Sequence, residues 1–128
     1  VFYHCDQEGI VLSTSQTNDS PLIPLITGLK QISTVVGNNI REMGQYKNAV
    51  VFDVLDAFYE NDVLHKISEV HVENSAYYIY LRQGGILKFT SKEDFTSNLE
   101  FAMYFVNNEA ENAMVELIYN NNPIYKTY

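Results

Sequence analysis

Hydrophobic positions alternate with polar ones near both ends of the chain, and each of these stretches predicts a β-hairpin. In VFYHCDQEGIVLS, the runs Val1–Cys5 and Ile10–Leu12 flank a polar turn that ends in a glycine suited to positive φ. In MVELIYNNNPIYKTY, the runs Met114–Tyr119 and Ile124–Tyr128 flank a turn over Asn120–Asn122. The last strand of the second hairpin pairs with the strand before it. The sequence does not say what pairs with its other edge, and the answer bears on function.

A third hairpin is predicted in the middle of the chain, in YYIYLRQGGILKF. Gly84 and Gly85 can supply the two positive φ values of a type I′ turn. The preceding run ISEVHV alternates imperfectly and predicts a further strand. Alternation divides the first half of this hairpin between two faces: Tyr77, Ile79 and Leu81 on one, and Tyr78, Tyr80 and Arg82 on the other.

A helical period begins at Tyr46 and predicts a helix of about four turns that ends near Asn61. A second helix is predicted to open at Ser91, whose hydroxyl can cap an amide of the first turn. This second helix is apolar on two sides. One stripe contains Phe95, Leu99, Ala102, Met103 and Val106, and the other contains Phe101, Tyr104 and Phe105. Which stripe faces the core stays open at the level of the sequence.

The segment PLIPLITGL is too rich in proline for a strand interior and too apolar for an exposed loop. We therefore expect a short buried segment that stops at Gly28. The order of hairpin, helix, strands, helix and hairpin predicts an α+β fold with a mainly antiparallel or mixed sheet and two to three helices. A length of 128 residues indicates one domain, 1–128.

Composition excludes several classes of function. The net charge of −8 and the scattered lysines and arginines argue against a nucleic-acid partner, which requires clustered positive charge. No stretch approaches the ~20 apolar residues of a membrane span. The single cysteine, Cys5, excludes an internal disulfide.

The search for catalytic chemistry yields little, and we predict no enzyme, no cofactor and no metal site. No phosphate-binding loop, nucleophile elbow or zinc-protease motif is present. His4, Cys5 and Asp6 are consecutive, but neighbouring strand residues point to opposite faces. Asp53, Asp56 and Glu60 share a helix face, which predicts a solvated surface; hydrolase chemistry would require that face to line a cleft.

Several stretches, in this order, resemble the β domain of the FtsQ/DivIB cell-division proteins: DQEGIVLS with PLIPLITGL, then ISEVHVENSAYYIYLRQGGILKF, EDFTSNLEFAMYFV and VELIYNNNPIYK. Together they span nearly the whole chain. Two positions depart from the family pattern. Thr90-Ser91 replaces a usual glycine, and Ile118 stands where the family's closing hairpin has a basic residue.

The resemblance implies a non-catalytic scaffold of the bacterial division machinery, with this domain on the extracytoplasmic side of the cell membrane at the septum. A cytoplasmic tail, a single transmembrane helix and a small POTRA domain would then precede it. The expected partners are FtsB/DivIC-like and FtsL-like proteins, which would bind by adding a strand to the C-terminal edge strand and so support septum formation. The residues expected to bind them are Tyr119, Asn120, Asn121, Asn122, Ile124, Tyr125, Lys126, Tyr128, Phe101, Tyr104 and Phe105.

Two alternatives follow from the same residues. Tyr119, Ile124 and Tyr125 could pack into the domain's own core, with the edge covered. A secreted or surface domain could instead bind a small ligand or a cell-wall fragment in a tyrosine-lined groove. The tyrosines of that groove would be Tyr77, Tyr78, Tyr80 and Tyr104.

Overall fold

Strands and helices alternate along the chain as the hydrophobic pattern predicts, and the fold is α+β. The computed structural model describes residues 1–18, 22–30, 33–43, 46–108 and 113–127. The strands are β1 (Phe2–Cys5), β2 (Val11–Ser15), β3 (Leu25–Thr27), β4 (Ile67–Glu73), β5 (Ala76–Leu81), β6 (Ile86–Phe89), β7 (Ala113–Glu116) and β8 (Ile124–Thr127). The helices are α1 (Tyr46–Glu60), α2 (Lys92–Thr96) and α3 (Leu99–Asn108), and a 3₁₀ turn spans Leu64–Lys66.

Six strands form one mixed sheet whose spatial order, β3-β4-β5-β6-β7-β8, repeats their order in the chain. Three of its pairs are antiparallel, and two pairs, β3–β4 and β6–β7, are parallel. Each parallel pair is joined by a helical crossover, α1 in the first case and α2 with α3 in the second. Right-handed crossovers that run in the same direction along a sheet place their helices on the same face. Since parallel crossovers are almost always right-handed, this topology predicts one layer of helices and one open sheet face.

The burial pattern agrees with this two-layer arrangement. Tyr77, Ile79 and Leu81 are buried, whereas Tyr78 and Tyr80 on the alternate face are only half-buried, as the alternation predicts. The helices cover the buried face with fully enclosed side chains such as Phe58, Phe95 and Phe105. The largest side chains of this core are aromatic, and their rings contact one another at centroid distances of 5.1 to 5.5 Å.

The hairpin β1–β2 forms a separate two-stranded sheet beside α1. Its turn is held by the Asp6 carboxylate, which accepts hydrogen bonds from the amides of Glu8 and Ile10 at 2.9 and 3.0 Å. Gly9 closes this turn with φ +92°, the conformation for which a glycine was expected. A small second core of Val11, Ile40 and Phe52 joins this hairpin to the helix.

Two strand-level predictions need correction. The segment PLIPLITGL is not buried throughout: Leu22 and Ile23 are 71% and 62% exposed, and Leu25–Thr27 forms the edge strand β3. The pattern obscured this strand because only three residues pair with β4. The turn between β5 and β6 is not a two-residue type I′ turn either, since only Gly84 of the two glycines has positive φ and the loop covers residues 82–85.

The imperfect alternation of ISEVHV has a structural cause. Pairing of β4 with β5 shifts register between Ile67 and Glu69, so an extra residue separates buried positions at the start of the strand. After that bulge, Val70 and Val72 alternate regularly onto the core face. The prediction of a strand is confirmed, and its irregularity is explained.

The second predicted helix is two helices, α2 and α3, separated at Ser97 and Asn98. Both side chains bond to nearby backbone carbonyls, Ser97 Oγ to Glu93 O at 2.7 Å and Asn98 Nδ2 to Asp94 O at 2.8 Å. Short polar side chains that satisfy the backbone locally favour such interruptions. The predicted cap is confirmed: Ser91 and Asp94 form a reciprocal capping box at the start of α2.

The closing hairpin has shorter strands than predicted. β7 ends at Glu116 rather than Tyr119, and residues 117–123 connect it to β8. Leu117 turns into the core, where it is 1% exposed, and its amide donates to Lys88 O at 2.8 Å. Asn120 adopts φ +57° within this connection, a conformation that asparagine tolerates better than most residues.

Candidate functional site

Strand β8 lies at one end of the six-stranded sheet. Its register with β7 pairs Glu116 with Ile124, Met114 with Lys126, and Val115 with Tyr125. Among the strands that the structure describes, none pairs with the other side of β8. An edge strand of this kind presents backbone N–H and C=O groups along its outer side, where an added strand can satisfy them.

The side chains along this edge are exposed rather than enclosed in the core. Tyr119 is 52% exposed, Tyr125 is 48% exposed and Ile124 is 45% exposed. These values do not fit the alternative in which the three residues pack inside the domain. Lys126 is exposed as well, and Tyr128 lies outside the described residues.

The two faces of β8 differ in their surroundings. Tyr125 lies opposite the buried Val115, so its ring is on the helix-covered face, edge-on to Phe105 at a centroid distance of 6.1 Å. Ile124 and Lys126 belong to the opposite, open face. An added strand would therefore meet an aromatic ring on one side of the sheet, and an aliphatic and a cationic side chain on the other.

The connection from β7 to β8 is anchored by the buried carboxylate of Asp94, which is 8% exposed. Its Oδ1 accepts a hydrogen bond from the amide of Tyr119 at 2.8 Å, and its Oδ2 accepts from the amides of Thr90 and Ser91 at 3.1 and 3.0 Å. Burial alone would raise the pKa of Asp94, but these hydrogen bonds outweigh it and hold the pKa below its ordinary value. The carboxylate thus ties the start of α2 to the segment that leads into β8.

A second hydrogen bond holds the connection between β7 and β8, and a polar concavity lies next to it. Asn98 Nδ2 donates to Ile118 O at 3.2 Å, on the segment between β7 and Tyr119. The concavity next to this bond has a volume of about 380 Å³ and an uncharged polar lining. Its lining residues are Ser97, Asn98, Asn120, Asn121 and Asn122. The three predicted asparagines of the closing turn therefore lie together at the surface.

The aromatic stripe predicted on the second helix is only partly a surface feature. Phe105 is fully buried, so its assignment to an exposed partner-binding stripe is wrong. Phe101 is half-buried against the core and contacts the Phe105 ring at 6.4 Å. Tyr104 is 56% exposed and is the one member of the stripe that is mainly at the surface. Because Phe105 also contacts Tyr125, it supports the edge from beneath.

Two of the three carboxylates of α1, those of Asp53 and Asp56, are bound in ion pairs. Asp53 contacts the guanidinium of Arg41 and, through Oδ2, Lys92 Nζ at 2.9 Å, while Asp56 Oδ2 lies 3.0 Å from Arg41. Burial alone would raise the pKa of Asp53, but hydrogen bonds and charge from Lys92 and Arg41 lower it. Glu60 is exposed and takes part in none of these three ion pairs. The lowered pKa of Asp53 is the opposite of the raised pKa that a general acid would need.

The cluster of His4, Cys5 and Asp6, against which the sequence argued, and the alternative of a tyrosine-lined groove find no support in the described residues. Within the residues that the structure covers, no group of three or more His, Cys, Asp or Glu side chains could hold a metal ion. His4 Nε2 instead lies 2.8 Å from the hydroxyl of Ser15 on the paired strand. The four tyrosines do not line one groove, because Tyr77 faces the helices while Tyr78 and Tyr80 are on the open face and Tyr104 is on α3.

Sequence reasoning missed the role of Asp94. The spacing Ser91-x-x-Asp94 signals a cap, and that part was available from the sequence. Nothing in the sequence indicated the bond from Asp94 to the Tyr119 amide, since the two residues are brought together only by the β6–β7 crossover.

Comparison with known proteins provides no family assignment: no protein-family model matches the chain, and no curated protein is significantly similar to it. In the described residues, no helix has both the length and the apolar character needed to cross a membrane.

Proposed function

We propose that this chain is a non-catalytic scaffold domain of the FtsQ/DivIB type, which binds an extended segment of an FtsB/DivIC-like partner by strand addition to β8. The observation that carries the proposal is the position of β8 at the end of the sheet with Tyr119, Ile124 and Tyr125 about half exposed. An FtsL-like protein would join through the FtsB/DivIC-like partner or the neighbouring surface. The domain would act outside the membrane at the division septum.

Backbone pairing alone does not account for stable binding. A four-residue strand offers roughly four outward backbone hydrogen bonds, each with a net value of about 1 kcal/mol. Loss of translational and rotational freedom on association costs about 4–15 kcal/mol. Side chains must therefore supply most of the affinity, and an interface of this kind depends on a few aromatic and aliphatic anchors.

The anchors available beside the edge lie on both faces. Tyr125 is supported from beneath by Phe105, so its ring is held in place before a partner binds. Ile124 offers an aliphatic contact on the open face, and Lys126 beside it suits an acidic partner residue. Tyr119, at the start of the turn, extends the aromatic surface. Support of this kind lowers the entropy lost on binding.

The experiment is a pull-down of the tagged domain with the FtsB/DivIC-like and FtsL-like proteins encoded in the same genome. Ile124→Asp and Tyr125→Asp should leave the fold intact and abolish binding, because each places a charge where an apolar contact is required. Leu12→Asp is the matched control, since Leu12 is an exposed strand residue of the other sheet at 58% exposure. Binding retained by both β8 variants would refute strand addition at this edge.

A second measurement separates strand addition from other modes of docking. Hydrogen exchange of the β8 amides should slow when the partner is added, because an added strand gives these groups new acceptors. Slower exchange confined to the α3 surface around Tyr104 would instead indicate docking on the helix.

A further inference from the structure

A second concavity, of about 270 Å³, lies between the 3₁₀ turn, the β5–β6 loop and α3. It includes no residue of β7, β8 or the connection between them. Its lining contains two cationic side chains, Lys66 and Arg82, two apolar ones, Leu81 and Val106, and the polar side chains of His65 and Gln83. The domain carries a net charge of −8, so a local concentration of positive charge is unusual for it.

Both cations in this concavity are held in place by neutral acceptors. Arg82 Nε donates to the carbonyl oxygen of His65 at 2.7 Å, and the Arg82 amide donates to Lys66 O at 2.9 Å. Lys66 Nζ donates to the side-chain oxygen of Asn107 at 2.8 Å. These bonds orient the guanidinium and the ammonium group without neutralising either charge.

The cations near α1 differ from Lys66 and Arg82 because they are paired with carboxylates. Arg41 and Lys92 bind the carboxylates of Asp53 and Asp56, as cations in an acidic protein usually do. No ion pair between Lys66 or Arg82 and a carboxylate is found among the described residues. Two oriented charges thus remain available to an anion that comes from outside this part of the chain.

We infer that this concavity is a binding site for a carboxylate carried on a short aliphatic stem. The outer N–H groups of Arg82 match the two oxygens of a carboxylate, and the ammonium group of Lys66 can donate to the same group. Leu81 and Val106, which are 4% and 2% exposed, give the concavity a small apolar area for the stem. A volume of about 270 Å³ is below the ~300–1,000 Å³ of sites for drug-sized ligands, so the site fits a group the size of one side chain.

The site does not depend on the proposed scaffold function, because the two share no residue. The carboxylate could come from a free short-chain acid or from a glutamate side chain of a bound peptide. The chemistry recognised is the same in both cases, and the experiment below separates the two sources.

The test is an NMR titration of the isotopically labelled domain with sodium pentanoate. Pentanoate should cause saturable shifts of the Arg82 Nε–H signal and of the Leu81 and Val106 methyl signals, whereas 1-pentanol should not. Lys66→Gln should raise the dissociation constant about tenfold, the effect of losing one charge-assisted hydrogen bond, and Arg82→Gln should raise it further because two such bonds are lost. Lys30→Gln removes the same charge from an exposed site elsewhere and should leave binding unchanged.

Several results would overturn the assignment: no saturable shift, equal shifts with 1-pentanol, or unchanged affinity in both the Arg82 and Lys66 variants. Thermal unfolding of each variant establishes that it is folded before the titration. The second arm compares pentanoate with a short peptide that carries one glutamate between leucines, and with its glutamine counterpart. Tighter binding of the glutamate peptide than of pentanoate identifies a peptide source, and the reverse order identifies a free acid.

Discussion

Replacing Asp94 by alanine tests the anchor that connects α2 to the β8 edge. The substitution leaves the amides of Thr90, Ser91 and Tyr119 without their carboxylate acceptor. Loss of a helix cap costs about 1 kcal/mol. Loss of the charge-assisted bond to Tyr119 costs about 1.5–3 kcal/mol, because the group is partly enclosed. We therefore expect the free energy of unfolding to fall by about 3 kcal/mol.

The assay is urea denaturation together with thermal unfolding. For a domain of 128 residues, a loss of about 3 kcal/mol corresponds to a fall in Tm of about 10 °C. Glu93→Ala is the matched control, because Glu93 is the exposed neighbour in the same helical turn and should change stability by less than about 0.5 kcal/mol. A loss for Asp94→Ala as small as that for Glu93→Ala would refute the reasoning.

The pH dependence of the free energy of unfolding shows whether Asp94 stabilises the fold through its negative charge or only through its hydrogen-bonding geometry. Because hydrogen bonds lower the pKa of Asp94 in the folded state, the carboxylate stabilises the fold above the unfolded pKa of about 3.9, and this contribution is lost as the pH falls through the folded pKa. Asp94→Asn should therefore be less stable than the wild type by a constant amount between about pH 5 and pH 8, and the difference should shrink below about pH 4. A difference that stays constant at acid pH would show that charge is not involved.

Two further predictions concern packing and backbone conformation. Phe105→Ala should lower the free energy of unfolding by about 3–5 kcal/mol and Phe101→Ala by about half as much, since only Phe105 is fully enclosed; equal losses in urea denaturation would contradict the burial pattern. Gly28→Ala should cost several times more than Gly37→Ala in the same assay. Both glycines have positive φ, but only the new Cβ at Gly28 would meet a backbone atom, Val72 O at 1.9 Å. Similar costs for the two variants would show that this close approach does not restrain β3.

The sequence predicts those elements whose pattern is local. The alternation through Tyr77–Leu81 and the helical period from Tyr46 each extend over several residues of one element, so their faces could be read directly. The capping box of Ser91 and Asp94 spans only one turn. In each case the residues that decide the structure are close together in the chain.

The features that escaped prediction depend on contacts between distant segments. β3 exists because Leu25–Thr27 pairs with β4, far along the chain, and three residues leave too short a pattern to recognise. The burial of Phe105 does not follow from the sequence because α3 is apolar nearly all round, and its neighbours in the fold decide which side is buried. The exposure of Tyr119 and Tyr125 agrees with the expectation from the family resemblance, but residue type alone does not decide it, since tyrosine is found both inside and at surfaces.

The agreement between strand order and chain order has a consequence for how the β8 edge forms. Strands β4, β5 and β6 are joined by short turns, so their pairing closes only small loops. The pairing of Ile86 with Met114 must close the whole α2–α3 crossover, and β8 has no place to dock until β7 has been added. Loop closure of this length opposes early formation. We therefore expect the β8 edge to form late, and a partner strand that pairs with it would recognise only those copies of the domain in which β7 has already joined the sheet.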